Sequence, residues 1–237
     1  TASTNTDGSI DSQVSVNTTS GFSVVTYTAT SGTSSIGHGL GTTPSMIILK
    51  TINQTGGWVT GLSVLGWDKY LSLNGTSGST TDDRMFSPSG GTDPTSTLFW
   101  SNQSAIGNAG TMVAYCFAEK KGFSKFGSYV GNGSTDGPFI YTGFKPAFVM
   151  AKNTNSSKNE SWSMWDNKRS STSGNNVINR YLMPNASDAE ISQNVCDLVS
   201  NGFKFRHGPE GRYNQTDTFI YMAFAENPLV GTNNVPA

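Results

Sequence analysis

Short apolar runs separated by stretches of Gly, Ser, Thr and Asn make up most of this chain. "SMIILK" (45–50) and "AFVMAK" (147–152) follow turn-forming Gly and Pro residues, the pattern of a buried strand entered from a turn. "GFSVVTYTA" (21–29) alternates in part and is rich in β-branched and aromatic residues, which suits a pleated surface. "TMVAYCFAE" (111–119) and "TFIYMAFAE" (218–226) are apolar on both faces over most of their length, so they are expected as central strands covered on both sides. One segment reads otherwise. In "SDAEISQNVCDLV" (187–199), Ser187 and Glu190 stand at capping-box spacing, and Ile191, Val195 and Leu198 fall on one helical face. That spacing predicts a short helix.

The two aromatic-Ala-Glu endings close a longer repeat. Residues 27–50 lie over 129–152 without a gap, placing Tyr27 on Tyr129, Gly41 on Gly143, Pro44 on Pro146 and Lys50 on Lys152. Trp67-Asp68 answers Trp165-Asp166 further on, and Phe117-Ala118-Glu119 answers Phe224-Ala225-Glu226. A period near a hundred residues is too long for a solenoid and suits duplicated small domains or two halves of one sandwich. The expected fold is therefore all-β: two repeated antiparallel β-sandwich units, jelly-roll-like, with at most one short helix. The boundaries are 1–20 for an N-terminal linker or strand, 21–127 for the first unit, and 128–237 for the second unit with its C-terminal tail.

Composition narrows the function classes. Charged residues are 13% of the 237, and the formal net charge is −1. That balance gives no electrostatic basis for nucleic-acid or anionic-membrane partners. No apolar run reaches the length of a membrane span, so no membrane insertion is expected. "TASTNTDGSI" lacks the features of a signal peptide, and the chain reads as a processed product or a part of a longer polypeptide. Cys116 and Cys196 form no metal or redox spacing; the sequence leaves a disulfide between them open, and two buried thiols are the favoured expectation.

Few residues offer chemistry. Glu119 and Glu226 are paired only by the repeat, so each should close its own strand rather than converge on one bond, as a glycosidase pair must. The adjacent carboxylates of "TTDDR" (80–84) match no calcium-loop spacing. His38 falls on Ile140 in the repeat, and "GHGLG" reads as a glycine-flanked turn. No catalytic residue, metal site or cofactor is expected, and no enzyme activity. The aromatics Trp58, Trp67, Tyr70, Trp162, Trp165 and Tyr181 are the remaining signal, because ring faces beside amides and carboxylates suit sugars. Trp67 and Trp165 recur in both units and are expected in the core. Trp58 and Trp162, with Asn53, Gln54, Asn159 and Glu160, form the expected ligand-binding set.

Several strings carry a resemblance over nearly the whole chain: "GHGLGTTPSMIILK", "VAYCFAEKKGFSKFGSYVGNGSTDGPFIYTGFKPAFVMAKN", "YLMPNASDAE", "LVSNGFKFR" and "YMAFAENPLVGTNNVPA". In them the chain resembles a domain family found near the C-termini of tail-fibre and other virion proteins of marine bacteriophages. The resemblance implies an extracellular virion location and a structural or host-contact role, with other virion proteins, further copies of the chain and host-surface glycan as partners. It supplies no site residues. Two readings stand: a virion structural and adsorption module, or a dedicated carbohydrate-binding domain for host polysaccharide. A depolymerase ranks below both.

Overall fold

Each aromatic-Ala-Glu segment ends the central strand of a sheet, and the two central strands are paired alike. The computed structural model describes residues 1–82, 84–87, 93–102, 110–169 and 177–227. It forms two units, residues 1–73 with 79–119, and residues 74–78 with 120 onward. In the first unit the strands are β1 (Ser3–Asn5), β2 (Ser12–Asn17), β3 (Phe22–Thr28), β4 (Thr33–Gly37), β5 (Met46–Thr51), β6 (Val59–Leu62), β7 (Lys69–Ser72), β8 (Thr80–Thr81), β9 (Leu98–Asn102) and β10 (Thr111–Phe117). They make a sheet ordered β1-β2-β3-β10-β5-β6-β7-β8 and a second sheet, β4-β9. Alternation turns Val25 and Tyr27 of β3, Ile47 and Leu49 of β5, and Met112, Ala114 and Cys116 of β10 inward, where Ile36 and Phe99 of the small sheet meet them. Each such large apolar side chain contributes about 1.5–3 kcal/mol on burial.

The N-terminal residues are part of this sandwich. β2 pairs with β3 from Ser12 opposite Tyr27 to Asn17 opposite Phe22, and Val14 enters the core. Just before β2, Ile10 bridges Ile36 of β4, while Ser9 and Ser35 exchange main-chain to hydroxyl hydrogen bonds. One segment thus crosses the edges of both sheets.

The second unit contains β11 (Ser124–Val130), β12 (Phe139–Tyr141), β13 (Pro146–Asn153), β14 (Ser163–Asp166), β15 (Val177–Tyr181), β16 (Ile191–Val199), β17 (Gly202–Phe205) and β18 (Thr218–Ala225). Two four-stranded sheets, β11-β18-β13-β14 and β12-β17-β16-β15, enclose a core rich in aromatic rings. The register repeats that of the first unit. Phe117 of β10 lies opposite Phe22 and Met46, and its counterpart Phe224 lies opposite Ser124 and Phe148. The contact division falls between Glu119 and Lys120, ahead of the expected boundary at 127, because β11 pairs with β18 along its whole length.

The segment expected as a helix is a strand. β16 pairs with β15 on one side and β17 on the other. Four consecutive residues, Val195 to Leu198, are buried, which a strand covered on both faces accommodates and a one-sided amphipathic helix does not. Glu190 caps nothing; its carboxylate faces Arg169 and Arg180. A single 3₁₀ turn, Ser63–Leu65, is the only helical element among the described residues.

Candidate functional site

The expected ligand-binding residues are divided between the units, with Asn53, Gln54 and Trp58 in the first and Asn159, Glu160 and Trp162 in the second. Trp58 is half-buried, and its ring stacks on Tyr115 at 6.2 Å. Asn53 and Gln54 stand in the same loop, between β5 and β6, where the Asn53 side-chain Oδ1 accepts the Thr111 N–H at 3.0 Å.

In the second unit the corresponding residues are structural. Trp162 is fully buried and has no face to offer a sugar. Asn159 bridges Ser77, and the Glu160 carboxylate lies against Gly211, where a Cβ would collide with it. They border a polar knot. There the Lys152 ammonium donates to the Thr76 carbonyl (2.9 Å) and the Asn153 carbonyl (3.2 Å). Asn153 and Asn155 both donate to the Asp217 carboxylate, and the first of these amides also reaches the Gly211 carbonyl. The Asn155 and Asn153 hydrogen bonds hold the Asp217 carboxyl below the usual carboxylate range.

The remaining candidates for chemistry are also occupied. Glu226 accepts from Asn167 (2.7 Å) and pairs with Lys145 (2.8 Å), and the Lys145 hydrogen bond depresses its carboxyl. Glu119 stands in the other unit, where its main-chain N–H donates to Ser45 Oγ. Both cysteines are buried free thiols in separate units; burial pushes Cys116 up to about 12 and Cys196 well above its ordinary value. Of the "TTDDR" carboxylates, Asp82 is bonded to Arg84, and Asp83 lies outside the described residues. Among the described residues no cluster of three His, Cys, Asp or Glu could hold a metal.

His38 is fully buried: its Nδ1 accepts the Leu40 N–H, and its Nε2–H donates to the Thr95 carbonyl. Burial lowers its pKa below 6.5. As pH falls through 6.5 the unfolded chain takes up a proton that folded His38 resists, so stability falls with it. We expect the melting temperature to drop between neutral pH and about pH 5, and the drop to shrink in His38→Gln.

An open cleft in the first unit offers what those positions do not. It has a volume of about 590 Å³, and Thr43, Ser63, Trp67, Asp68, Ser87 and Asp93 are among the residues that line it. The 3₁₀ turn ends on Gly66 at φ +88°, a left-handed conformation that favours glycine. A Cβ there would also strike the Asp68 carboxylate, so glycine lets this acid fold back over the turn. Asp68 stays half-exposed beside Lys69 (2.8 Å), and Trp67 turns inward onto Phe86. The equivalent acid of the second unit, Asp166, lies in a cavity of about 500 Å³ crowded with ion pairs, where Arg169 bridges it to Glu190. Asp68 keeps 48% of its side chain exposed, against 22% for Asp166.

The family whose members are described as a domain of unknown function, DUF7483, matches residues 1–228. The chain belongs to that family. No curated protein and no solved structure matches it. For this DUF7483 chain, then, the site has to be argued from geometry. Sequence reasoning passed over the cleft because its walls come from three separate connections, β4–β5, β6–β7 and β8–β9. The recurring Trp-Asp dipeptide was the available signal: the Trp turns inward, and the Asp beside it is left at the rim.

Proposed function

We propose that this chain is a non-enzymatic structural and adsorption module of a bacteriophage virion, of the tail-fibre or surface-fibre type, that meets host-surface glycan through the first-unit cleft. The observation that carries the glycan contact is that Asp68 and Asp93 line one open cleft together with Thr43 and Ser63, on loops of a packed sandwich. Carboxylates accept hydrogen bonds from sugar hydroxyls, and loops on a rigid body are where binding residues concentrate. The volume lies within the range of small-ligand sites. The virion location is supported by the resemblance in the sequence strings. The second reading, a dedicated carbohydrate-binding domain for host polysaccharide, draws on the same cleft.

Single-site affinity for a sugar at so open a cleft is expected near millimolar, about 4 kcal/mol. Adsorption at that strength requires several copies acting together. The test is a glycan array probed with the multimerised chain, repeated with Asp68→Asn and Asp93→Asn combined. Binding should fall at least about tenfold, as the loss of charge-assisted hydrogen bonds implies. The melting temperature should hold, because the Asp68–Lys69 pair is exposed and contributes at most about 1 kcal/mol. Glycan binding untouched by the double substitution would remove the cleft from the mechanism. Absence of any bound glycan would leave the structural role alone.

A further inference from the structure

The duplication allows one unit to be compared with the other, and they differ at one sheet edge. In the first unit the outer edge of β3 is covered by β2 over six residues. β11 is the counterpart of β3 and keeps the same register to its central strand, yet it ends its sheet. Among the described residues no strand pairs with its other side.

The main-chain directions follow from the pairing. Ala225 N–H donates to the Phe123 carbonyl, and Gly131 N–H to the Asp217 carbonyl. With Ser124 opposite Phe224 and an unbroken register, the odd positions from 123 to 131 direct their hydrogen bonds to β18. The main-chain groups of Ser128 and Val130 therefore point away from the sheet. Both residues are exposed, Val130 at 64%. Natural edge strands are blunted by shortness, proline, bulges or charge. β11 is seven residues long, has no proline and no register shift, and carries one lysine, Lys125, near its start.

The second unit is not shaped to receive a segment like residues 1–17. In the first unit Gly37 and Gly39 make room for that segment: a Cβ on Gly37 would collide with Asn5, and one on Gly39 would press on Val14. Their counterparts in the gap-free match are Phe139 and Tyr141, exposed at 47% and 64%. Aromatic rings stand where the first unit admits the N-terminal chain. What is left is a long, regular edge open to a flat strand.

We propose that two copies of this chain pair through β11, antiparallel about a two-fold axis at Ser128, joining two four-stranded sheets into one of eight strands. The strand is self-complementary in that register. Ser128 exchanges both main-chain hydrogen bonds with its own copy, Phe126 faces Val130 of the partner subunit, and no like charges are opposed. The pairing does not depend on the glycan reading, since either can fail while the other holds.

The test is sedimentation equilibrium of the whole chain over a dilution series, with amide hydrogen exchange read at Ser128 and Val130. The wild type should reach twice the 25.2 kDa monomer mass, with both amides protected. Ser128→Lys opposes two ammonium groups at the axis, and Ser128→Pro removes the exchanged donor. Each should weaken the dimer by more than about tenfold and leave a folded monomer, because the Ser128 N–H makes no bond to β18. Should the proline variant fail to fold, the lysine variant decides. A wild type that stays monomeric throughout, or a dimer unchanged in Ser128→Lys, overturns the proposal.

Discussion

Trp165→Ala is expected to destabilise the second unit by about 3–5 kcal/mol, the usual cost of emptying a large aromatic site in a core. Trp165 is fully buried on β14, opposite Val149. Its ring meets Phe205 at 5.8 Å, and Phe203 and Tyr213 at 6.2 Å, all edge-on. Those neighbours also pack on one another, with Phe205 stacked on Tyr213 at 5.4 Å. Collapse into the vacated space would therefore have to break other ring contacts. Relaxation is blocked on several sides, and the cavity cost stays near the upper part of its range. Chemical denaturation reads the result as a lowered midpoint at unchanged slope. Trp165→Phe keeps most of the edge contacts and should cost clearly less. A loss below about 1 kcal/mol for the alanine variant would mean that this cluster is not the core of the unit.

Lys152 should discriminate sharply between two substitutions. Its ammonium is buried against two carbonyl oxygens, and desolvation lowers its pKa from 10.5 to about 8, against a smaller opposing effect from Glu160. Lys152→Glu would place a carboxylate among those same acceptors, an uncompensated buried charge costing about 3–5 kcal/mol. Lys152→Met gives up two hydrogen bonds but also the cost of burying the charge, so it should fall within about 1.5 kcal/mol of the wild type. The sign of the pH dependence follows. Between pH 8 and 10.5 the unfolded chain holds a proton on this lysine that the folded chain has released, so this residue's contribution makes stability rise with pH. Buried tyrosines and cysteines act in the opposite direction at high pH, since their folded pKa values are raised. The informative quantity is therefore the difference between wild type and Lys152→Met across that window. A flat difference would show that the lysine is not desolvated.

Much of the fold was legible because it is written twice. The gap-free match from Tyr27 to Lys50 and the doubled aromatic-Ala-Glu strings located the central strands, and pairing register follows from side-chain alternation once those are placed. The misread segment shows the limit. Ile191, Val195 and Leu198 fit a helical face, yet β16 is decided by β15 and β17 on either side, partners that no local window contains. The candidate site was less legible than the fold. Trp58 and Trp162 look equivalent in sequence, but one stacks half-exposed on Tyr115 and the other is closed over completely. Asp68 and Asp93 line one cleft although they belong to different loops.

The short segment Asn74–Gly78 has a consequence for how this protein can be taken apart. It is encoded between two strands of the first unit, yet it belongs to the second, where Ser77 bridges Asn159 and the Thr76 carbonyl receives the Lys152 ammonium. A cut at residue 119 or 120, natural to anyone guided by the repeat, would not yield two intact copies. The C-terminal fragment would keep a buried cation and lose one of its acceptors, and the N-terminal fragment would carry a loop folded for a body no longer attached. An intact second unit therefore has to carry residues 74–78 with it.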